Sequence, residues 1–255
     1  MSNDLVSIIM PSYNCGRFVR ETIESVLAQT YTHWELLFVD DCSTDDTEVI
    51  VKSFNDPRIR FFKNEKNRGA AVSRNYALKK SKGRWIAFLD SDDLWRPEKL
   101  EHQIRFMEEN GCHFSYTGRD FIDEDSRPLN KMVTGPKHIT KRSMFNFCWV
   151  GCLSVMYDTN VIGQIQIVDI KKNNDYALWL KVIKKADCYL LNENLASYRV
   201  RRGSISNLSY LKLIKWHYRL FRESEKMSVL DSSYCTVRNL IYGVVKKVFY
   251  TKKTD

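Results

Sequence analysis

The sequence contains no run of about 18 apolar residues, the length that a helix needs to span a bilayer. Its first four residues are polar, and residues 5–10 are too short an apolar stretch for a secretory signal. We therefore expect a cytoplasmic protein that does not cross a membrane. This pattern does not exclude contact with a membrane surface, and the expected location is the cytoplasmic face of the inner membrane.

Other familiar patterns are also missing. The seven cysteines are odd in number, form no Cys-x-x-Cys pair and have no histidine at zinc-finger spacing, so we expect reduced thiols and no zinc site. No Gly-x-Gly-x-x-Gly or P-loop pattern occurs, which disfavours the usual modes of dinucleotide and ATP binding. The five histidines are scattered, and we assign none of them a chemical role.

The first hundred residues alternate short apolar runs with helical periodicity. The chain has 255 residues, 44% hydrophobic and 28% charged, which suits one packed domain with a small appendage. The predicted strands are 6–10, 34–39, 59–62 and 85–89, and the predicted helices follow them at 18–29, 44–54, 70–80 and 97–107. This order predicts an α/β fold whose parallel sheet carries helices on both faces, with ligands at the carboxyl ends of the strands.

The pattern is weaker after residue 112. Residues 120–140 are polar and contain Pro128, Gly135 and Pro136, so we predict a loop there. A helix is predicted over 173–185, two short strands over 189–191 and 195–200, and two helices after residue 210.

An acidic cluster follows the fourth predicted strand. Asp90, Asp92 and Asp93 lie within four residues, where like charges repel one another unless a cation is present. Carboxylate oxygens suit Mg²⁺ or Mn²⁺, and such an ion neutralises a departing diphosphate. The alternative is a turn rich in aspartate that caps the next helix. The cluster alone does not decide between these two interpretations.

Polar segments also follow the first two predicted strands. Pro11-Ser12-Tyr13-Asn14 follows the first strand, and its tyrosine offers a flat ring for stacking on a base. Asp40 and Asp41 follow the second strand and are suited to hydrogen bonds with a base or ribose. Arg74 lies on the helix that precedes the acidic strand and could pair with a carboxylate or a phosphate.

In this order the segments resemble family 2 glycosyltransferases of the GT-A type, which build bacterial surface polysaccharides. The resemblance is close over about the first 110 residues. It rests on residues 6–14, 39–45, 67–75 and 88–95, and farther along on 174–179 and 198–206. It implies a GT-A fold, which is a Rossmann-like and mostly parallel sheet with helices on both faces.

The resemblance implies a role for each matching residue. A nucleotide-sugar site would be formed by Pro11, Tyr13, Asn14, Asp40, Asp41, Arg74, Asp90 and Ser91. Tyr13, Asp41 and Arg74 would surround uracil and ribose, and Asp90 would contact the ribose or support Arg74. Asp92 would ligate the metal, with Asp93 as the alternative ligand. Arg199, Arg201 and Arg202 are the candidates for neutralising the leaving diphosphate.

The family's general base corresponds to Asp175, which would take a proton from the acceptor hydroxyl. From its residues alone, Asp175 is better explained as a first-turn acid of the helix, favoured by the helix dipole. The chain departs from the family pattern in two places. Asn174 replaces a common glutamate, which we expect to change acceptor contacts, and Arg201 or Arg202 replaces a common histidine.

Positive charge is concentrated in the last third of the chain. Residues 171–255 carry 18 Lys and Arg against 7 Asp and Glu, a net charge of +11, whereas residues 1–170 carry 22 against 24, a net charge of −2. We divide the chain into a donor half (1–110), an acceptor half with the base (111–206) and a basic amphipathic tail (207–255). The tail either contacts an anionic membrane or packs on the domain with its cations in water.

The resemblance and the residues together predict an inverting glycosyltransferase. The donor would be a UDP-sugar held with Mn²⁺ or Mg²⁺, and the acceptor a glycan or a polyprenyl-pyrophosphate-linked sugar. A metal-dependent nucleotidyltransferase is the alternative, but residues 11–17 lack the glycine-rich basic loop that it usually needs. A nucleic-acid-binding protein would leave the acidic cluster without a purpose, so we expect no nucleic-acid partner.

Overall fold

The computed structural model describes residues 3–170, 172–201 and 210–253. Its strands are β1 (Val6–Ser12), β2 (Trp34–Asp40), β3 (Ile59–Lys63), β4 (Trp85–Phe88), β5 (Leu94–Trp95), β6 (Phe114–Ile122), β7 (Pro128–Val133), β8 (His138–Ile139), β9 (Val155–Asp158), β10 (Cys188–Arg199) and β11 (Thr251–Lys253). Its helices are α1 (Gly16–Leu27), α2 (Thr47–Lys52), α3 (Ala70–Lys80), α4 (Lys99–Glu109), α5 (Lys141–Asn146), α6 (Thr159–Ile162), α7 (Asn174–Val182), α8 (Tyr210–Arg219) and α9 (Val229–Phe249). A 3₁₀ turn covers Cys152–Ser154, and a π-helical turn covers Leu220–Ser224.

The first four strands form the parallel part of the sheet. β1 pairs in parallel with β2 and β4, and β2 pairs in parallel with β3. Ser12 lies opposite Asp40, so the segments that follow β1 and β2 start at the same edge of the sheet. The segment after β4 starts there too, because that strand runs in the same direction. The parallel sheet expected from the first hundred residues is therefore present.

Alternating side chains of this sheet fill two separate cores. Ile9 and Val39 face the core that contains α3 and α7, whereas Ile8 and Phe38 face the core that contains α1 and α4. Strands buried on both faces need continuous apolar runs, which explains why the sequence pattern identified them. Helices therefore cover both faces of the sheet.

The second half of the sheet is largely antiparallel. β9 lies between β4 and β6 and pairs antiparallel with both, so one sheet joins the two halves of the chain. The prediction of a loop over residues 120–140 is wrong, because β6 and β7 form an antiparallel pair there and β8 follows. The two short strands predicted over 189–200 are one strand, β10, which pairs in parallel with β6 through two register shifts.

The C-terminal helices pack on this domain. Leu220 and Phe221 of the π-helical turn are fully buried in the core that contains α7. Asn239 of α9 donates from Nδ2 to the hydroxyl of Tyr176 (3.1 Å), and β11 extends the sheet by pairing with β7. None of the helices in the described ranges has both the length and the apolar character needed to cross a bilayer.

Candidate active site

The segment after β2 is organised by the carboxylate of Asp41, which is 3% exposed. Its Oδ1 accepts from Nδ2 of Asn64 (2.7 Å), and its Oδ2 accepts from the main-chain N–H of Gly69 (2.6 Å). The N–H of Arg68 donates to both oxygens at 3.0 and 3.1 Å. Asp41 therefore fixes the turn that leads into α3, and its hydrogen-bonding capacity is largely used within the protein.

The segments after β1 and β2 are joined to each other. Oδ1 of Asn14 accepts from the main-chain N–H of Thr44 (2.9 Å), and the N–H of Asn14 donates to Oγ of Ser43 (2.9 Å). Ser43 in turn donates from its hydroxyl and its main-chain N–H to the buried Asp40. Asn14 has a φ of 49°, a left-handed conformation that asparagine tolerates better than most residues. These hydrogen bonds fix the positions of the turns after β1 and β2 relative to each other.

Three other predicted nucleotide contacts lie on the same elements. Pro11 is buried within β1, and Ser91 is buried in the turn after β4. The side chain of Tyr13 stays 47% exposed beside the joined turns, so its ring is accessible for stacking.

Arg74 links the acidic turn to α7. Its Nη2 donates to Oδ1 of Asp90 (2.5 Å), and its Nη1 donates to Oδ1 of Asn174 (2.8 Å). Burial acts to lower the pKa of Arg74, but Asp90, followed by Cys152 and Asp175, outweighs it and holds the pKa above its ordinary value. The residue before Asp175 is thereby tied to the turn that carries the predicted metal ligand.

Asp92 and Asp93 have different surroundings. Burial, opposed by the charge of Arg201 and reinforced by that of Asp90, raises the pKa of Asp92 to about 6. Nε of Arg201 lies 2.6 Å from Oδ2 of Asp92. Asp93 is 2% exposed and accepts from the main-chain N–H of Arg199 (2.9 Å), and burial raises its pKa well above the usual range. Asp92 is thus the more accessible carboxylate, whereas Asp93 anchors β10.

Arg199 is positioned differently from the sequence-based expectation. Its guanidinium donates to the main-chain oxygen of Asp92 (2.7 Å), to Oγ of Ser126 (2.8 Å) and to Oε2 of Glu21 (2.7 Å). Its side chain is 0% exposed. These contacts engage every nitrogen of the guanidinium. Arg199 therefore supports the acidic turn from within the protein and is poorly placed to bind a phosphate. Arg202 lies outside the described residues.

Asp175 lies in the first turn of α7, as the sequence pattern indicates. Its Oδ1 accepts from the N–H of Tyr176 (2.8 Å), and the residue is partly exposed. Asn173 begins the helix with a φ of 57°, and its buried Nδ2 has no hydrogen-bond partner among the described residues. The buried Nε of Arg74 has none there either. Two buried donors near Asp175 therefore have no partner in the described part of the chain.

Three further residues of this region were not predicted from the sequence. Glu21 on α1 pairs with Arg199, and Cys152 is buried close to Arg74, Asp90 and Asp175. Arg119 on β6 lies beside Gly151 and near Asp93. No local pattern marks them, because each comes from an element whose neighbours are decided by the tertiary fold.

Comparison with known proteins identifies the class. The family model for glycosyl transferase family 2 matches residues 7–164, which carry the turns after β1, β2 and β4. The chain belongs to this family and is a glycosyltransferase with the GT-A α/β fold.

Two curated relatives and one solved structure extend the likeness. The chain is 41% identical over 247 residues to the putative teichuronic acid biosynthesis glycosyltransferase TuaG of Bacillus subtilis, covering 96% of this chain and 98% of that one. It is 41% identical over 215 residues to WfgD of Escherichia coli, a UDP-Glc:α-D-GlcNAc-diphosphoundecaprenol β-1,3-glucosyltransferase, covering 84% of each. The structure of residues 1–349 of S. aureus TarS with UDP-GlcNAc superimposes with a TM-score of 0.73 at 22% identity, covering 92% of this chain and 71% of that one.

Proposed function

We propose that this glycosyltransferase inverts the anomeric configuration of a sugar that it transfers from UDP to a hydroxyl of an undecaprenyl-diphosphate-linked sugar. Residues 1–110 form the donor half in this proposal, and residues 111–206 form the acceptor half. The donor and acceptor classes are those in the name of the WfgD relative. The relative named for teichuronic acid biosynthesis supports a role in surface polysaccharide synthesis.

The observation that carries the proposal is the bridge made by Arg74. It hydrogen-bonds Asp90 in the acidic turn and Asn174 beside Asp175. In this proposal the donor diphosphate lies at the acidic turn and the acceptor hydroxyl lies at Asp175. Arg74 would therefore connect the sites of the two substrates. Asn14, Asp40 and Asp41 hold the turns at the proposed base and ribose end of this site. Tyr13 is exposed beside these turns.

In the proposed reaction, the acceptor oxygen attacks the anomeric carbon while Asp175 accepts the hydroxyl proton. The bond between the anomeric carbon and the diphosphate oxygen breaks, and UDP leaves with the electron pair. Arg201 stays beside Asp92 and faces the charge that develops on the leaving diphosphate. Attack from the face opposite the leaving group inverts the anomeric centre.

The donor set near Asp92 fits Mg²⁺ or Mn²⁺ shared with a substrate. These ions bind proteins through one or two carboxylates and take other ligands from phosphates and water. Within the described ranges no three His, Cys, Asp or Glu side chains form a ready cation site, so Asp92 would act with the diphosphate. Asp93 does not fit as the ligand, because it is buried and engaged by the N–H of Arg199. The bound ion would neutralise the leaving group.

The same proposal places the tail against an anionic membrane. One face of α9 packs on the domain, and the other exposes a row of apolar side chains spaced by three or four residues: Leu230, Tyr234, Val237, Ile241, Val244 and Val248. Lys247, Lys252 and Lys253 are exposed near the end of this row. An apolar stripe flanked by lysines suits a surface of anionic lipids, where a lipid-linked acceptor resides.

The function is tested by incubating the enzyme with UDP-glucose, Mn²⁺ and a water-soluble alkyl ester of α-D-GlcNAc diphosphate. We expect a disaccharide product whose new linkage is β by NMR, since the donor is α-linked. A product that retains the α configuration would contradict the inverting mechanism. Absence of transfer from any UDP-sugar would contradict the donor assignment.

Membrane contact is tested separately by sedimentation with vesicles containing phosphatidylglycerol. We expect the combined substitution Leu230→Ser, Ile241→Ser and Val244→Ser to release the protein. Val49→Ser, Leu129→Ser and Val161→Ser together are the control, because they remove three exposed apolar side chains from other elements. Unchanged vesicle binding, or a dimer in solution that the first set dissociates, would contradict the proposal.

A further inference from the structure

Two cations contact the loop of residues 147–151. Nζ of Lys246 on α9 donates to the main-chain oxygens of Trp149 (2.6 Å) and Cys148 (3.4 Å). Arg119 on β6 reaches the same loop at Gly151, where an added Cβ would lie 2.3 Å from Nη1 of the arginine. A larger residue at position 151 would have to displace this guanidinium.

Neither cation has a carboxylate partner in the described part of the chain. No ion pair forms with Arg119 or Lys246 there, whereas the buried Arg74 and Arg199 each pair with an acid at 2.5–2.7 Å. Burial lowers the pKa of Lys246 to about 7, and the charge of Arg119 adds to this shift. Burial also lowers the pKa of Arg119. Unpaired charges in such surroundings are costly, so an anionic ligand would relieve both at once.

We propose that Arg119 and Lys246 bind the phosphate groups of the acceptor. A guanidinium presents a flat fork of donors to phosphate oxygens, and an ammonium adds a point charge. The inference rests on the proposed function, because it assigns a site to the diphosphate of the lipid-linked acceptor. The loop that both cations contact includes Cys148. Burial raises the pKa of the Cys148 thiol, and the charge of Asp175 adds to this shift, so the site lies near the proposed base.

The donor diphosphate is the other phosphate in the reaction, and it has its own partners. Asp92 with a cation and Arg201 are proposed to hold it at the acidic turn. Lys246 instead comes from α9, the helix whose opposite face carries the exposed apolar row. The site therefore lies against the helix that is proposed to contact the membrane, where a lipid-linked diphosphate resides, which favours the acceptor.

The test is calorimetric titration of two ligands into enzyme saturated with UDP and Mg²⁺. One ligand is the alkyl ester of α-D-GlcNAc diphosphate, and the other is the alkyl glycoside of GlcNAc without phosphate. We expect the wild type to bind the diphosphate ligand about 10- to 100-fold more tightly. Arg119→Met and Lys246→Met should each remove most of this preference, and Arg119→Lys should retain part of it.

Arg105→Met and Lys79→Met are the matched controls, since both side chains are exposed on other helices. They should leave the preference and the UDP affinity unchanged. Thermal melting and UDP titration of each variant show whether the fold and donor site persist.

The proposal is overturned if the wild type does not distinguish the two ligands, if the Arg119 and Lys246 variants keep the full preference, or if they lose UDP affinity to the same extent. Tight binding of the diphosphate ligand without sugar transfer to it would contradict the proposed acceptor and leave the phosphate site standing.

Discussion

The proposed donor half (residues 1–110) and the proposed acceptor half (residues 111–206) differ in how their charged groups are paired. In the donor half, Asp41 accepts from three neighbouring groups, and Arg74 is paired with Asp90. In the acceptor half and the helix packed on it, Arg119 and Lys246 have no carboxylate partner among the described residues. The donor half is organised before any ligand arrives, whereas the acceptor half leaves cations available.

This difference in pairing matches what each half is proposed to recognise. All donors in a nucleotide-sugar class share a base, a ribose and a diphosphate, so one preformed set of turns serves them. Acceptors differ in sugar and linkage, and their contacts come from elements that local motifs do not define. The comparison can be tested by changing one charged residue at a time in either half.

The largest expected effect comes from Asp175→Asn. The amide cannot accept the hydroxyl proton, so kcat should fall by about 10²- to 10⁴-fold. UDP affinity should stay within about twofold, because the donor turns do not depend on this carboxylate. Steady-state kinetics and calorimetry measure the two quantities. If kcat persists, Asp175 is only a first-turn acid of α7.

A smaller effect, on stability, is expected for Asp41→Asn. The substituted amide would present a donor to groups that already donate, namely Asn64 Nδ2 and the N–H groups of Arg68 and Gly69. The free energy of unfolding should fall by about 2–3 kcal/mol, as measured by urea denaturation. The same change at the exposed Asp46 should cost less than about 0.5 kcal/mol. Equal losses at both sites would show that the turn is not held by Asp41.

The pH dependence of metal-assisted donor binding gives a third test. The pKa of Asp92 is raised from 3.8 to about 6, so the carboxyl gains a proton as the pH falls through 6 and would no longer ligate the proposed metal. Affinity for UDP-glucose with Mn²⁺ should therefore fall about tenfold per pH unit between pH 6 and pH 4. Asp92→Asn should show a flat profile. UDP-glucose is the ligand because its diphosphate does not titrate in this range.

The folding stability of the metal-free protein should change with pH in the opposite direction to the donor affinity. A folded-state pKa above the unfolded value gives a contribution to stability that is complete below about pH 3.8 and is lost as the pH rises through 6. Asp92→Asn should therefore stabilise the metal-free enzyme near neutral pH. An unchanged unfolding midpoint in urea at pH 7.5 would show that Asp92 is better solvated than its burial indicates.

The donor half could be predicted because its signals are local. Strands β1, β2 and β4 are buried on both faces, so each is a continuous apolar run that ends in polar residues. Helix α3 begins and ends at the predicted residues, Ala70 and Lys80. The order of these segments supports the family assignment, which the comparison confirms.

The acceptor half could not be predicted to the same extent. β7 is mostly exposed and is covered at its outer edge by β11, so it lacks the apolar alternation of a buried strand. Arg199 looked available for phosphate because the sequence does not reveal that Glu21 and Ser126 reach it from distant elements. Arg119 was missed for the same reason, since a single arginine in a strand carries no motif.

The most direct test of the central claim, a metal-dependent donor site at the acidic turn, is calorimetric titration of UDP with and without Mn²⁺. The wild type should bind at least about tenfold more tightly with Mn²⁺, and Asp92→Asn should abolish that gain while Asp175→Asn keeps it. Equal affinity with and without the ion, or a full metal effect in Asp92→Asn, would contradict the account.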